Sequence, residues 1–343
     1  MEKFRLPAEW EPQEAVLLAW PDEHTDWNYI LDEAQLCVGQ IVDRITRYAR
    51  VVLITHRTAP ELSRYISHLE RVTLVDVPYN DTWARDFGPI TLTDDNGGFR
   101  SLDFMFNGWG LKFAADKDNQ ITSRLHRILD FKSQYVNKRG FVLEGGSIES
   151  DGEGTILTTS TCLMKGNRND EMSLADVEAY LKSAFNAHTV LWLEHGELAG
   201  DDTDGHVDTL ARLAPGKTIV YVGADADDTD NGSELAAMEA ELKIMAEKYG
   251  YRLVSLPNPD AIYDEDGLRL PATYANFLII NGAVIMPVYG QPENDAIAIE
   301  SIASAFPGYI IETVDCNALI KQHGSLHCVT MQLPEKSIRL WKH

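Results

Sequence analysis

The sequence has 343 residues, of which 44% are apolar and 24% charged, as is usual for a globular protein. No apolar run approaches the roughly 18 residues that a membrane helix needs, and the N-terminus lacks the apolar stretch of a secretory signal. We therefore expect a cytoplasmic protein with no membrane partner. Acidic residues outnumber basic ones 53 to 30, for a formal charge of −23. This disfavours nucleic acid as a partner and favours a cationic substrate.

No Pro- or Ser-rich linker and no low-complexity tract divides the chain, so we predict one domain over residues 1–343. The four cysteines, Cys37, Cys162, Cys316 and Cys328, show no CxxC spacing. Neither a disulfide scaffold nor a cysteine-based zinc site is expected from this pattern. We predict reduced thiols, and a protein without a metal or an organic cofactor.

One order of elements, strand–strand–helix–strand, recurs along the chain. At the N-terminus the pattern predicts a strand at 15–20, a helix at 32–48 and a strand at 51–54. A less clear copy covers 86–142. Three clearer copies follow, with strand, strand, helix and strand at 148–150, 155–159, 173–185 and 189–193; at 206–213, 218–222, 233–249 and 252–256; and at 274–280, 283–288, 292–306 and 309–313.

A fifth copy is complete only if a C-terminal strand at 326–331 joins the N-terminal elements. Such a join between the chain ends predicts a closed ring, because closure leaves no sheet edge exposed. The fold class predicted from the element order is therefore α/β, with five repeated units.

Five polar motifs lie near the start of the first strand of a unit. They are Trp83-Ala-Arg-Asp86, Glu144-Gly-Gly, Gly205-His206-Val-Asp208, Tyr274-Ala-Asn276 and His327-Cys328. If the first strands line the ring axis, these motifs converge. His206 and Asp208, two apart on the predicted strand, would share a face.

This residue set suits a guanidinium substrate. Carboxylates such as Asp86 and Asp208 can each accept two parallel N–H bonds from the planar cation. A Cys328 thiolate can attack the central carbon, and a histidine can protonate the departing ammonia and then activate water. Because neighbouring carboxylates oppose a new anion, we expect the empty site to hold Cys328 as a thiol.

Each residue also has a structural explanation. A cysteine in an apolar strand is more often a small buried hydrophobe, and a lone histidine is more often hydrogen-bonded for structure. We accept that explanation for Cys37, Cys162 and Cys316. For the five motifs together, at equivalent places in a repeat, we favour function.

The chain resembles the agmatine deiminase family nearly end to end. The motifs that carry the resemblance are Leu6-Pro-Ala-Glu-Trp10, Asn80-Asp-Thr-Trp-Ala-Arg-Asp-Phe-Gly-Pro89, Phe106-Asn-Gly-Trp-Gly110, Leu143-Glu-Gly-Gly-Ser-Ile148, Asp151-Gly-Glu-Gly154, Asn167-Arg-Asn169, Asp202-Thr-Asp-Gly-His-Val-Asp208, Tyr274-Ala-Asn-Phe277 and His327-Cys-Val-Thr330.

The resemblance implies a five-bladed α/β-propeller that hydrolyses agmatine to N-carbamoylputrescine and ammonia. It implies Cys328 as the nucleophile and His206 as the general acid/base. Asp86, Asp208 and Glu144 are the implied carboxylates around the guanidinium. From the same motifs and the run 322–326 we predict further substrate contacts at Trp83, Trp109, Asn276 and Gly324. Family analogy also favours a homo-oligomer.

The sequence departs from the family near the expected substrate tail. The family's glycine-rich run is Gln322-His-Gly-Ser-Leu326 here, and two family asparagines are Asp204 and Thr209. The alternatives are therefore a deiminase of arginine or peptidyl-arginine, with Arg85 or Arg168 binding the α-carboxylate, and a non-catalytic guanidine- or polyamine-binding protein. Release of ammonia from agmatine separates these classes.

Overall fold

A computed structural model describes residues 4–56 and 61–340. In chain order its strands are β1 (Gln13–Ala19), β2 (Arg50–Thr55), β3 (Val72–Asp76), β4 (Ile90–Thr93), β5 (Phe99–Met105), β6 (Asp130–Phe131), β7 (Gln134–Val142), β8 (Ile148–Ser150), β9 (Thr155–Thr159), β10 (Thr189–Leu193), β11 (Ala211–Ala214), β12 (Thr218–Val222), β13 (Arg252–Leu256), β14 (Leu278–Ile280), β15 (Ala283–Val288), β16 (Ile310–Asp315), β17 (Met331–Pro334) and β18 (Ile338–Arg339).

The helices lie mostly between strands that pair in parallel. They are α1 (Leu31–Thr46), α2 (Ala84–Phe87), α3 (Gly108–Leu111), α4 (Ile121–Ile128), α5 (Ser160–Leu163), α6 (Leu174–Phe185), α7 (Gly232–Tyr249), α8 (Pro292–Ala305) and α9 (Asn317–Ile320). Short 3₁₀ turns occur at Asp26–Ile30, Leu62–Arg64, Leu69–Arg71, Asp118–Gln120, Gly145–Ser147 and Val207–Thr209. Among the described residues, no helix is both long and apolar enough to cross a bilayer.

Five sheets repeat one topology. Their strand orders are β4-β5-β7, β8-β9-β10, β11-β12-β13, β14-β15-β16 and β17-β1-β2-β3. In each, the first strand pairs antiparallel with the second, and the second pairs parallel with the third. A helix crosses between the parallel strands, as parallel pairing requires. The predicted strand–strand–helix–strand unit is confirmed, and the fold is mixed α/β.

The two ends of the described chain meet in one sheet. β17 pairs antiparallel with β1, with Leu17 opposite Met331 and Gln13 opposite Pro334. The predicted join between the chain ends is therefore confirmed. Two features were not predicted: β3, which extends this sheet, and a small sheet that pairs β6 with β18.

Local sequence signals explain where several elements begin and end. Ser173 accepts a hydrogen bond from the backbone of Asp176, whose side chain binds back to the backbone of Ser173, so α6 starts at a capping box. Asn281 and Gly282 have φ of +40° and +83°, as a tight hairpin between β14 and β15 requires. The second strands β9 and β12 are buried throughout. After its first residue β12 is a continuous apolar run, Ile219-Val-Tyr-Val222, as expected where both sheet faces are covered.

The first strands of three sheets begin later than predicted. The strands expected at 206–213, 274–280 and 326–331 begin at Ala211, Leu278 and Met331. The preceding polar residues form turns held by side chains: the hydroxyls of Thr209 and Thr330 donate to the carbonyls of the histidines three residues earlier.

The prediction that His206 and Asp208 share a strand face was therefore wrong. His206 instead precedes the turn Val207–Thr209, which contains Asp208. The motifs that carry the chemistry lie in loops that lead into the strands.

Candidate active site

Cys328 lies in the loop before β17, and its side chain is buried. Its Sγ is 3.3 Å from Oδ1 of Asn276 and 3.9 Å from Oδ2 of Asp208. The same Asn276 oxygen accepts hydrogen bonds from the backbone N–H groups of His327 and Cys328, at 2.9 and 3.3 Å. Asn276 thus holds the cysteine loop in place.

His206, Asp86 and Asp208 come together around Gly146. A Cβ at Gly146 would lie 2.6 Å from Nδ1 of His206 and 3.0 Å from a carboxylate oxygen of each aspartate. Nδ1 of His206 is 3.6 Å from Oδ1 of Asp86. The predicted convergence of these groups is present, although turns rather than a shared strand produce it. Only glycine leaves room at 146 for this packing.

Several polar atoms at this point have no hydrogen-bond partner among the described residues. They are both ring nitrogens of His206 and Oδ1 of Asp208, and all are buried. Burying such groups unpaired costs about 1–3 kcal/mol each. The arrangement is therefore one that a polar ligand completes.

Tryptophans enclose the carboxylates. Nε1 of Trp109 donates to Oδ2 of Asp86 at 2.9 Å, while the N–H of Gly146 donates to Oδ1 at 3.0 Å. A Cβ at Gly324 would overlap the indole ring of Trp83, so the loop at 324 can lie against Trp83 only as glycine. Trp83, Trp109 and Gly324 thus lie beside the buried aspartates or against one another, and their contact with substrate stays a prediction.

A cavity open to solvent lies above Cys328, and its space including the open mouth is about 450 Å³. Four carboxylates border it, and none of the described residues that line it is Lys or Arg. Asp86 and Cys328 are buried at its inner end, whereas Asp26 is exposed and Asp81 and Asp202 are half-buried. The rest of the lining is Trp83, Trp109, Phe113, Thr203, Gln322, His323 and Gly324. The cavity therefore suits a cation along its whole length.

Two predicted substrate contacts have other partners in the structure. Glu144 is fully buried and does not line the cavity; Nε of Arg168 binds its two oxygens at 3.0 and 3.1 Å. A Glu144 oxygen also lies within 4.8 Å of a His206 ring nitrogen. Asn276 binds the cysteine loop, and its amide donates to the carbonyl of Asp208. Direct contact of either residue with substrate stays a prediction; the geometry favours supporting roles.

Neither arginine that was considered for an α-carboxylate faces the cavity. Arg168 is buried and binds Glu144, Asp204 (2.6 Å) and the carbonyl of Thr203 (2.9 Å). Arg85 donates to Gln332 at 2.6 Å and lines a different cavity. An amino-acid carboxylate thus has no cationic partner among the described residues of the cavity above Cys328.

Some lining residues were missed by the sequence reasoning. Asp81 and Asp202 belong to the family motifs 80–89 and 202–208, so their place in these motifs could have marked them as candidate site residues. Asp26 and Phe113 lie outside every motif. They reach the cavity only through the folded path of the chain.

The electrostatics of the site follow from burial. Burial, together with the charges of Asp208 and Asp86, raises the pKa of Cys328 well above its usual value, so the empty site holds a thiol, as predicted. Burial lowers the pKa of His206 to about 3, which leaves a neutral imidazole. Burial and the charge of Asp208 raise the pKa of Asp86. The pKa of Asp208 is lowered instead: burial opposes this, but the hydrogen bond and the charge interaction with His327, together with His206 and Arg212, outweigh it.

At the rim, burial raises the pKa of Asp81 to about 7. Above that pH Asp81 is ionised and adds to the negative charge of the cavity.

Two groups of described residues have the spacing of a metal site: Glu144, Cys162 and His206, and Glu9, Glu149 and His327. Each contains carboxylates already bound by an arginine. Arg168 binds Glu144, and Arg212 binds Glu9 and Glu149 at 3.0 and 2.6 Å. The guanidinium charge opposes a second cation at the same oxygens. These residues therefore fit a metal poorly.

The sequence profile of the Porphyromonas-type peptidyl-arginine deiminases matches residues 5–334. The chain belongs to this family.

This family member is also similar to proteins of known name, and the predicted resemblance to agmatine deiminases is confirmed. It is 32% identical to the agmatine deiminase of Stutzerimonas stutzeri, covering 98% of this chain and 97% of that protein. A structure of a cysteine-to-serine variant of C. jejuni agmatine deiminase with substrate bound is 37% identical, with a TM-score of 0.90, and covers 97% and 96% of the two chains. A Porphyromonas gingivalis structure, named as a candidate arginine deiminase, is 48% identical, with a TM-score of 0.89 and coverage of 98% and 100%.

Gly146→Ala should abolish most activity of this family member. The new methyl group would displace His206 or the aspartates, and a displacement of about 1 Å can cost about 100-fold in rate. The matched control is Gly140→Ala, where a Cβ meets no atom within 4 Å. The measurement is kcat of both variants beside their melting temperatures. Near-normal kcat in Gly146→Ala would show that the packing around Gly146 does not matter.

Proposed function

We propose that the protein hydrolyses agmatine to N-carbamoylputrescine and ammonia, with Cys328 as the covalent nucleophile. One observation carries this proposal: the Cys328 thiol lies at the inner end of a cavity that four carboxylates border and to which the described residues contribute no Lys or Arg. Agmatine has a cation at each end, so such a cavity attracts both. The agmatine deiminases of S. stutzeri and C. jejuni support the assignment by their similarity.

Two buried carboxylates orient the guanidinium: Asp86, which lines the cavity, and Asp208, which does not line it but lies 3.9 Å from Sγ of Cys328. Asp208, with one unpaired oxygen, and Asp86 accept its N–H bonds, and the central carbon then faces Sγ of Cys328. The bound cation also offsets the negative charge that keeps Cys328 protonated. Substrate binding thus promotes formation of the thiolate that attacks it.

His206 transfers protons in both half-reactions. As a neutral base it accepts the proton of Cys328 while the C–S bond forms, and then gives that proton to the nitrogen that leaves as ammonia. A thiouronium cation remains on Cys328. His206 next takes a proton from the attacking water, the C–S bond breaks, and the ureido product leaves. The proton released in this second step ends on ammonia in solution.

The rim distinguishes agmatine from arginine. The four-carbon chain of agmatine carries its ammonium group towards Asp26, Asp81 and Asp202. Arginine would place a carboxylate among these like charges. The similarity to the P. gingivalis protein makes arginine the alternative substrate to test. A purely binding role is disfavoured, because it would require neither the nucleophile nor the unpaired histidine beside it.

We also infer that the five repeated sheets are the blades of an α/β-propeller and that residues 1–343 form one domain. Contacts between neighbouring sheets support this: β8 contacts β11, α8 contacts β13, α1 contacts β16, and β17 contacts β4. The cytoplasmic location, the homo-oligomer, and the absence of cofactor, nucleic-acid and membrane partners stay predictions.

Cys328→Ser should abolish turnover while leaving agmatine binding intact, because the carboxylates remain and only the nucleophile is lost. Rapid acid quenching of the wild-type enzyme followed by mass spectrometry should find the amidino adduct on Cys328. Cys37→Ser is the matched control, since its hydroxyl can still donate to the carbonyl of Asp315, as Sγ does at 3.2 Å. Substantial activity in Cys328→Ser, or an adduct on another cysteine, would contradict the mechanism.

The reactivity of Cys328 should depend on an occupied guanidinium subsite. Its pKa is raised in the empty enzyme, so alkylation by a small neutral reagent should become fast only at high pH. A non-reactive guanidine that leaves Sγ accessible should shift the rate profile to lower pH, because it adds positive charge beside the sulfur. Alkylation of the empty enzyme that is already fast near pH 6 would indicate a preformed Cys328–His206 ion pair instead.

A further inference from the structure

His327, the residue before the nucleophile, joins two buried carboxylates. Its Nδ1 is 2.7 Å from Oδ2 of Asp208, and its Nε2 is 2.7 Å from Oε2 of Glu9. All three side chains are buried. A chain of hydrogen bonds thus leads from the guanidinium subsite, through the loop of the nucleophile, to the N-terminal segment.

The contacts define the protonation of His327. An ionised carboxylate only accepts hydrogen bonds, so both ring nitrogens must carry protons. Nη2 of Arg212 is 3.0 Å from Nε2 of His327 and 3.0 Å from the same Glu9 oxygen. The contact of Nη2 with Nε2 is a hydrogen bond only if Nε2 is unprotonated, whereas the shorter 2.7 Å contact of Nε2 with Glu9 requires a proton on Nε2. The shorter contact favours a His327 imidazolium that donates to Glu9 beside Arg212.

Charge balance agrees with this state. The charged groups that face the chain are the carboxylates of Asp208, Glu9 and Glu149 and the guanidinium groups of Arg212 and Arg85. Arg212 binds Glu149 at 2.6 Å, and Arg85 lies 3.8 Å from Glu9. Three negative and two positive groups leave one negative charge, which a protonated His327 neutralises. Buried charges persist only when they are paired in this way.

Glu9 is itself rigidly held. Its Oε1 accepts from the backbone N–H of Ile279 at 2.7 Å, and its carbonyl accepts from the side chain of Gln13 at 2.6 Å. The bond from Ile279 attaches the N-terminal segment to the sheet β14-β15-β16, and the bond from Gln13 braces the segment internally. The position of the Glu9 carboxylate, and with it that of His327, is thereby fixed.

We propose that His327 and Glu9 are positioning residues for the deimination: Glu9 holds His327 as an imidazolium, which keeps Asp208 ionised and aimed at the guanidinium. This inference rests on the proposed function. Asp86 offers the internal comparison. It is buried beside Asp208 but has no cationic partner, and the pKa values of the two aspartates move in opposite directions. The contact with His327 is thus what distinguishes Asp208 from Asp86.

The protonation state can be read directly in the wild-type protein. With ¹⁵N-labelled histidine and no substrate, the ring nitrogens of His327 should both resonate as protonated nitrogens at pH 7, whereas His206 should show one unprotonated nitrogen. Signals are assigned by their loss in His327→Asn and His206→Asn. An unprotonated nitrogen on His327 would overturn the proposal. This test needs no turnover, so it stands even if agmatine proves not to be the substrate.

Kinetics separate positioning from a merely structural role. His327→Asn removes the charge and the contact with Glu9, so the pKa of Asp208 should rise and the acid limb of kcat/KM for agmatine should move to higher pH. We expect about a 10- to 100-fold loss near pH 7, as for other outer partners of functional groups. Glu9→Gln should shift the acid limb in the same direction but by a smaller amount. The double variant, with Glu9→Gln and His327→Asn, should lose no more kcat/KM than His327→Asn alone.

Asp103→Asn is the matched control. Asp103 is also a buried carboxylate, bound by Arg139 at 3.0 Å and Tyr135 at 2.6 Å, but it is not part of the hydrogen-bond chain through His327. The Asp103→Asn substitution should lower the melting temperature without moving the acid limb of kcat/KM. An unmoved limb in His327→Asn, or losses that multiply in the double variant, would contradict the proposal. If the wild-type protein does not hydrolyse agmatine while both ring nitrogens of His327 are protonated, the proposed function is overturned but the inference about His327 is not.

Discussion

Burial of negative charge around Gly146 constrains the rest of the site. Asp86, Asp208 and the sulfur of Cys328 lie close together, and no Lys or Arg among the described residues lines the cavity beside them. A negative charge on Cys328 is disfavoured there unless a positive charge arrives with the ligand. The substrate therefore completes the site electrostatically, and the enzyme needs no permanently activated thiolate. An idle Cys328 is protonated, and this protects it from oxidation, which acts on the thiolate.

The nearby arginines are engaged elsewhere. Arg168 forms ion pairs with Glu144 and Asp204, and Arg212 forms ion pairs with Glu9 and Glu149. These ion pairs hold both guanidinium groups outside the cavity, where each stabilises two carboxylates next to the site. Asp204 is one of the departures from the family sequence, and it binds Arg168 at 2.6 Å. Thr209, another departure, donates to the carbonyl of His206, so both residues hold loops that surround the site.

Regular elements were predictable where local signals coincide with burial. The capping box at Ser173, the Asn281-Gly282 turn and the buried strands such as β12 are each specified by residues within the element itself. The loops of the site do not follow strand periodicity, because hydroxyls such as those of Thr209 and Thr330 redirect the backbone. Residue chemistry predicted Cys328, His206, Asp86 and Asp208 together. Partners that belong to distant segments, such as Glu9 with His327 or Arg168 with Glu144, depend on the folded path and were not predicted.

Charge discrimination at the far end of the cavity is the central claim, and a comparison of three substrates tests it. Steady-state ammonia release should give kcat/KM in the order agmatine, 1-butylguanidine, arginine. Charge-assisted hydrogen bonds contribute about 1.5–3 kcal/mol, so agmatine should exceed the neutral-tailed butylguanidine by about 10- to 100-fold. Arginine should be poorer still, because its carboxylate meets Asp26, Asp81 and Asp202. Equal values for agmatine and butylguanidine, or a preference for arginine, would contradict the account.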